Sequence, residues 1–219
     1  KACFSGKKIF IKSLNQLIEF DLPLKKIKFN SKNNYRQLTF NINDEIVFSI
    51  NNEIFDISKF GLIIQNPFCI SLNEKKLLNS LYKELEEKIT NSSIVKLNEI
   101  EKESFEMLNN LLNDVDYPFE YEEKVNISKL LLAFDVKFPE INYSNYLNLI
   151  CDYFKLYSIY CKTKIIISFG LLSLINDDEI KLLEKELLYN DLVLTDISYC
   201  DEELKKENDL TIDDDWCII

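Results

Sequence analysis

The sequence predicts an α/β protein in which a head built on a mixed β-sheet carries an inserted all-helical arm. Residues 1–66 contain short apolar segments separated by Asn- and Asp-rich breaks, a pattern typical of strands. Apolar residues at helical spacing then continue, with no intervening strand, to about residue 160. Beyond that point, β-branched segments return and enclose one further helix. We therefore assign the head to 1–67 and 161–219 and the arm to 68–160.

The strands of the head come from both ends of the chain. The N-terminal candidates are "KKIFIK", "LKKIKF", "RQLTFNI", "EIVFSI" and "FGLIIQ". Near the C-terminus, "KTKIIISF" and "DLVLTDIS" read as buried strands, and the helix between them has Asn176 and Glu179 in an N-cap arrangement. This order predicts a right-handed parallel crossover. With "DDWCII" as the last strand, we expect the two ends to complete one sheet.

Four helices are predicted in the arm. The first opens with a capping box formed by Ser71 and Glu74. The second starts at about Ser92, and its inner face is predicted to carry Ile94, Leu97, Ile100, Phe105, Leu108 and Leu112. "NISKLLLAF" is a short third helix, and a fourth starts at Ser144.

Composition excludes several classes of protein. Apolar residues make up 47% and charged residues 29% of the 219 residues, which is typical of a folded, soluble chain. The longest apolar runs are shorter than the roughly 20 residues of a membrane span. The N-terminal segment lacks the features of a signal peptide, so we expect a cytoplasmic protein without a membrane partner. The six cysteines are scattered, without a CxxC pair, and do not suggest a disulfide framework.

Histidine is absent, which excludes His-dependent catalytic triads and His-ligated zinc. Any metal would be a hard cation bound by oxygen. The net charge of −11 argues against a generic nucleic-acid binder, although a local lysine surface is compatible with an acidic remainder.

The stretch "NDVDYPFEYEEKV", residues 113–125, concentrates acidic side chains around Pro118. Its carboxylates are Asp114, Asp116, Glu120, Glu122 and Glu123. Their irregular spacing lets several face one point, and calcium takes 6–8 oxygen ligands in flexible geometry. The stretch lacks the glycine and the DxDxDG order of an EF-hand. A solvated loop between helices is the alternative interpretation.

The C-terminal third, "KIIISFGLLSLINDDEIKLLEKELLYNDLVLTDIS" followed by "IDDDWCII", resembles the adaptation protein of type II-A CRISPR antiviral defence systems. "SKFGLIIQNPFCISLNEKKLLNSLYKELEEKI" resembles that family's strand leading into the first long arm helix. "FEYEE" followed by "LLLAFDVKF" resembles its acidic turn and short helix. The resemblance covers roughly residues 45–219.

The resemblance implies a homotetrameric ring that binds double-stranded DNA ends during spacer acquisition, with the integrase complex and the effector nuclease as partners. Members of this family carry Ca²⁺ at the arm, which implies that the five acidic residues of 113–125 include calcium ligands. Lysines near the acidic stretch and at the exit of the arm are then candidates for sequence-independent phosphate contacts. These are Lys124, Lys129, Lys137, Lys155, Lys162 and Lys164.

We expect no catalytic activity. The chain has three glycines and no GxxxxGK[ST] loop, so we interpret the head as a degenerate P-loop-like fold that has lost its phosphate site. Two alternatives remain open: a metal-dependent nuclease that uses the acidic cluster, and a protein-interaction scaffold without DNA affinity. Asp213, Asp214 and Asp215 are interpreted as a solvated lead-in to the last strand. Five tyrosines at helical spacing suggest packing rather than a base-stacking platform: Tyr143, Tyr146, Tyr153, Tyr157 and Tyr160.

Overall fold

The computed structural model describes residues 6–113, 115, 120–122, 124–200 and 209–219. Two compact units are present: Lys1–Leu72 together with Ile141–Ile219, and Asn73–Glu140. Residues 141–160, predicted as part of the arm, belong to the first unit. In the described part of the chain, no helix is both long enough and apolar enough to cross a membrane.

The first unit is α/β and contains two sheets. Its strands are β1 (Lys7–Ile11), β2 (Gln16–Glu19), β3 (Leu24–Phe29), β4 (Ile46–Ile50), β5 (Glu53–Phe55), β6 (Gly61–Ile64), β7 (Ile165–Phe169), β8 (Val193–Tyr199) and β9 (Asp209–Ile212). An antiparallel sheet has the order β2-β1-β4-β5, and a parallel sheet has the order β6-β7-β8-β3-β9. The predicted mixed sheet is therefore divided in two: β3 and β6 join the C-terminal strands, and the other N-terminal strands pair among themselves.

The helices are α1 (Lys32–Phe40), α2 (Ile42–Glu45), α3 (Ile57–Phe60), α4 (Lys75–Ser92), α5 (Ile94–Leu112), α6 (Ile127–Ala133), α7 (Tyr146–Tyr160) and α8 (Asp177–Tyr189). Helix α1 contradicts the prediction of a strand at "RQLTFNI". The Ser31 side chain caps this helix by accepting a hydrogen bond from the Asn34 N–H at 3.5 Å. Leu38 is fully buried on its inner face.

The β7–α8–β8 unit confirms the predicted strand–helix–strand order. All five residues of β7 are buried, and β7 pairs in parallel with β8. Asn176 and Glu179 form a reciprocal capping box at the start of α8. The side chain of each residue accepts a hydrogen bond from the backbone N–H of the other.

The last predicted strand lies earlier than expected. The segment Asp209–Ile212 forms β9, whereas "DDWCII" is a turn that returns to β9 through a single bridge between Ile212 and Ile218. Asp213 stabilises this turn because its carboxylate accepts hydrogen bonds from the N–H groups of Asp215 and Cys217. The acidic group is therefore part of a turn and does not lead into a strand, although Asp214 and Asp215 are exposed to solvent as predicted.

The second unit contains α4, α5 and α6. The predicted capping box of Ser71 and Glu74 does not form, since Glu74 occupies the cap position without a side-chain cap bond. Asn73 instead forms a pair of hydrogen bonds with the backbone of Phe138, at 2.9 and 3.0 Å. On α5 no residue is fully buried, and Ile94 and Ile100 of its predicted inner face are about half exposed.

The parallel sheet is buried on both faces, and the largest core cluster of the first unit lies on one of them. Buried residues of the antiparallel sheet, such as Ile9 and Phe48, share one cluster with Ile27, Ile167 and Val193 of the parallel sheet. Helices α7 and α8 contribute further buried residues, including Tyr153 and Tyr157, whose rings meet edge to face at 5.0 Å. Because these two tyrosines are buried, packing accounts for them and base stacking does not.

Thr195 of β8 is fully buried, and its hydroxyl has no hydrogen-bond partner among the described residues. Thr195→Val keeps the shape of the side chain and removes this unpaired polar group. We expect it to raise the free energy of unfolding by about 1 kcal/mol in urea denaturation. Thr39→Val is the matched control and should not stabilise, because the Thr39 hydroxyl donates to the Tyr35 carbonyl at 2.8 Å. A destabilised Thr195→Val variant would contradict the prediction.

Candidate functional site

The acidic stretch begins where α5 ends, and its described carboxylates, Glu120 and Glu122, are both exposed. Asp114, Asp116 and Glu123 lie outside the described residues, so the predicted calcium ligands are described only in part. Within the described residues, no group of three or more Asp, Glu or Cys side chains has an arrangement that could hold a metal ion.

The described residues around this stretch are tied back to α5. The Tyr121 ring stacks on Phe105 at 6.0 Å, and the Tyr121 hydroxyl donates to the Asn109 side chain. Slightly further on, the Val125 N–H donates to a Glu101 carboxylate oxygen at 3.0 Å. Tyr121, within the acidic stretch, and Val125, at its end, are therefore both anchored to α5.

Of the six predicted DNA-contacting lysines, three belong to the second unit. Lys124 and Lys129 are exposed and form no ion pair among the described residues. Lys137 is bound to Asp135 at 2.9 Å, and the hydrogen bond and charge of that carboxylate raise the pKa of Lys137.

The other three lysines belong to the first unit and have different surroundings. Lys155 is exposed at a groove of about 530 Å³ beside Asp152 and Glu186. In this groove the Tyr143 hydroxyl donates to the Asp152 carboxylate at 2.7 Å. Burial is the main cause that raises the pKa of Tyr143 to about 12, and the contact with Asp152 is the second cause. The Lys162 ammonium group donates to the Ile159 carbonyl at 2.8 Å.

Lys164 belongs to an ion network that its position in the sequence does not suggest. The Asp191 carboxylate binds Lys7 Nζ at 2.7 Å through one oxygen and Lys164 Nζ at 3.0 Å through the other. Lys7 is only 4% exposed. Burial raises the pKa of the Asp191 carboxyl, but the two lysines lower it by more, so it stays below its usual value. Lys164 thus shares a single carboxylate with Lys7 and already has an ion-pair partner within the unit.

A second charged group, which the sequence analysis missed, lies on the parallel sheet. Asp196 of β8 is 4% exposed and accepts hydrogen bonds from the Ser168 hydroxyl at 2.6 Å and from the N–H groups of Leu171 and Leu172. Burial is the largest influence on this carboxyl and raises its pKa to about 6, against the lowering effect of these bonds and of Lys26. The only signal in the sequence is an acidic residue inside the apolar strand "DLVLTDIS".

Asp196 lines a cavity of about 180 Å³ together with Lys26, Lys28, Ser198 and Asp209. Lys28 and Asp209 form an ion pair at 2.8 Å. The charges of this cavity therefore balance, and the Asp196 carboxylate is engaged in capping the 3₁₀ turn Leu171–Leu174 that follows β7. This arrangement stabilises the connection from β7 to α8.

The connection from β3 to α1 joins a strand of the parallel sheet to a helix. It consists of Asn30 and Ser31 and contains no glycine. In the first turn of α1, the Asn34 side chain donates to the carbonyls of Asp213 and Asp214 at 3.1 and 2.9 Å. The C-terminal turn is therefore packed against this helix start.

No protein-family model matches this sequence, and no curated protein shows significant similarity to it. Inference about function therefore rests on the quoted sequence segments and on the geometry described above.

Proposed function

We propose that this protein is a non-catalytic DNA-end-binding protein that assists CRISPR spacer acquisition as a calcium-stabilised homotetrameric ring. The proposal rests on one main observation. The C-terminal segment that resembles the type II-A adaptation family forms the parallel pair β7 and β8 with α8 between them, and also β9 at the edge of the same sheet. A helical unit, Asn73–Glu140, separates β6 from β7 along the chain. Its partners would be double-stranded DNA ends, the integrase complex and the effector nuclease.

The acidic stretch supports the calcium part of the proposal. Its ligands would come from Asp114, Asp116, Glu120, Glu122 and Glu123, with Ca²⁺ neutralising charges that otherwise repel DNA. The anchoring of Tyr121 and Val125 to α5 fixes the backbone next to Glu120, Glu122 and Lys124, which lowers the entropy that ordering these residues around an ion would cost.

Exposed lysines support the DNA part. Lys124, Lys129 and Lys155 have no ion-pair partner among the described residues, so their ammonium groups are available to phosphates. Lys137 and Lys164 are paired with carboxylates and would have to exchange these partners, which makes them weaker candidates. The head would be a degenerate P-loop-like fold, a view favoured by the glycine-free connection from β3 to α1.

The ring is tested by light scattering after size exclusion, with and without Ca²⁺, and by gel shift on linear and circular duplexes of equal length. We expect a tetramer that binds only the linear duplex and binds it more tightly with Ca²⁺, because a closed ring admits DNA only from an end. Glu120→Gln combined with Glu122→Gln should weaken the effect of Ca²⁺. A monomer that ignores both Ca²⁺ and DNA would contradict the proposal, and metal-dependent cleavage of the duplex would favour a nuclease.

The lysines are tested by Lys124→Glu combined with Lys129→Glu. We expect affinity for linear duplex to fall at least about tenfold. The slope of log K against log salt should become shallower by about 1.8, the value for two lost phosphate contacts. Lys59→Glu combined with Lys185→Glu changes the net charge equally at exposed positions of the first unit. Equal losses in both double variants would mean that only net charge matters.

A further inference from the structure

The outer edge of the antiparallel sheet has an exposed apolar site. Among the described residues, β5 pairs only with β4, so its other side faces no further strand. Ile54, at the centre of β5, is 78% exposed. Beside it lies a groove of about 270 Å³ whose apolar lining includes Val47, Phe55 and Ile57. In an antiparallel strand alternate residues direct their N–H and C=O groups outward, so β5 offers both backbone and apolar contacts at one place.

The surroundings of this groove are acidic. Asp56 lines it, while Glu53 and Asp44 adjoin lining residues in the sequence. All three side chains are exposed, and none forms an ion pair with a basic side chain in the described part of the chain. Lys59, which interacts with Asp56, supplies a single positive charge. The edge therefore combines an apolar groove with a net negative charge.

The charge distinguishes between possible occupants. A second copy of this chain pairing edge to edge would bring the same carboxylates against each other, because a two-fold interface joins identical surfaces. Like charges opposed in this way cost binding energy. A segment with basic residues would instead be attracted.

We propose that the β5 edge binds an extended segment of a partner protein in which apolar and basic residues alternate. The segment would add a strand to the antiparallel sheet and place an apolar side chain in the groove beside Ile54. Its alternate, basic side chains would then lie on the opposite face, the face of Glu53. Addition of a strand to an exposed sheet edge is a common mode of peptide recognition, in which the main chain provides affinity and the alternate side chains provide specificity. This proposal does not depend on DNA binding.

The opposite edge of the same sheet provides a matched control. Strand β2 lies at that edge, and its Leu17 is 52% exposed. Its acidic neighbour Glu19 is already paired with Lys8 at 2.9 Å. This edge therefore has an exposed apolar residue without unpaired carboxylates, and Leu17→Lys changes the net charge by the same amount as Ile54→Lys.

The test uses two end-capped, fluorescent ten-residue peptides, one alternating valine with lysine and the other valine with glutamate. Binding to the full chain is followed by fluorescence anisotropy at 150 mM salt. We expect the valine–lysine peptide to bind the wild-type protein. Ile54→Lys should weaken its affinity at least about tenfold, because a central apolar contact is lost. Leu17→Lys should leave the affinity unchanged. Circular dichroism confirms that the two variants, both at exposed positions, are folded.

Four results would overturn the proposal. Absence of valine–lysine binding, or equal binding of the valine–glutamate peptide, would refute the charge argument. Equal losses in Ile54→Lys and Leu17→Lys would assign the binding to general charge. A concentration-dependent dimer that Ile54→Lys abolishes would identify a second copy as the occupant. In each case gel shift with linear DNA reports separately on the DNA proposal.

Discussion

The free energy of unfolding is expected to fall by roughly 2 kcal/mol between pH 4 and pH 6 through the titration of Asp196 alone. The carboxyl of Asp196 is buried, and its pKa rises from 3.8 in the unfolded chain to about 6 in the folded protein. Between these two values the folded protein holds a proton that the unfolded chain has released. Raising the pH through this window therefore favours the unfolded chain, and the contribution becomes constant only above about pH 7, where the folded protein has also lost the proton.

The measurement is urea denaturation from pH 4 to pH 7.5, followed by the fluorescence of Trp216, the single tryptophan, which packs on Phe29. Carboxyls with lowered pKa, such as those of Asp56 and Asp191, contribute the opposite slope. For this reason the informative quantity is the difference between the wild type and Asp196→Asn. That difference should change by roughly 2 kcal/mol between pH 4 and pH 6.

Ser168→Ala provides the directional control for Asp196. The Ser168 hydroxyl donates to the Asp196 carboxylate at 2.6 Å and so favours its charged form. Removing it should move the pH transition upward. If the wild type and Asp196→Asn have the same pH dependence, Asp196 titrates with an ordinary pKa and its burial does not control its charge.

The C-terminal elements were predictable because their local signals agree with their environment. The run Ile165–Ile167 has the composition of a strand buried on both faces, and all three residues are fully buried. The capping box of Asn176 and Glu179 forms with the spacing that the sequence displays. Here local preference and tertiary packing favour the same structure.

Elsewhere, tertiary context determines the outcome. The segment of α1 contains β-favouring residues, which suggested a strand. It forms a helix after the Ser31 cap instead, and the helix places Leu38 in the core. The segment "DDWCII" has strand-like composition, but Asp213 binds two N–H groups of its own turn and prevents extension.

Charged sites were the least predictable feature. Lys7 and Asp191 are 184 residues apart in the sequence, and Ser168 and Asp196 are 28 apart. Periodicity reports which residues of one element share a face, and carries no information on which charges meet across the fold. Lys164 is an example: its position in the sequence suggested a phosphate contact, whereas its ammonium group pairs with the Asp191 carboxylate at 3.0 Å.

Asp191→Asn is expected to lower the free energy of unfolding at pH 7 by about 2 kcal/mol. Removing one partner of a buried ion pair costs about 3–5 kcal/mol because the other charge is left uncompensated, and the half-exposed position of Asp191 reduces this value. Asn is the suitable replacement because residue 191 has a φ of 54°, a left-handed conformation that Asn tolerates well. Urea denaturation provides the measurement.

Lys7→Met should cost much less than Asp191→Asn, since it removes the buried ammonium group itself and fills the space with an apolar chain. When Lys7→Met is already present, Asp191→Asn should lower the free energy of unfolding by little more, because the buried ammonium group that would lose its carboxylate partner is absent. If the two substitutions are additive, Lys7 and Asp191 are not energetically coupled and the network contributes no stability as a unit.

The same Asp191 substitution bears on DNA binding, because it releases Lys164 as well as Lys7. Lys164 is half-buried but reaches the surface, so a freed ammonium group there would be available to a phosphate. If Lys164 contributes to DNA binding, Asp191→Asn should tighten binding to linear duplex at low salt, and Asp191→Asn with Lys164→Gln should return it to the wild-type value. Unchanged affinity in Asp191→Asn would restrict Lys164 to the ion network and leave Lys124, Lys129 and Lys155 as the exposed candidates for the phosphate contacts.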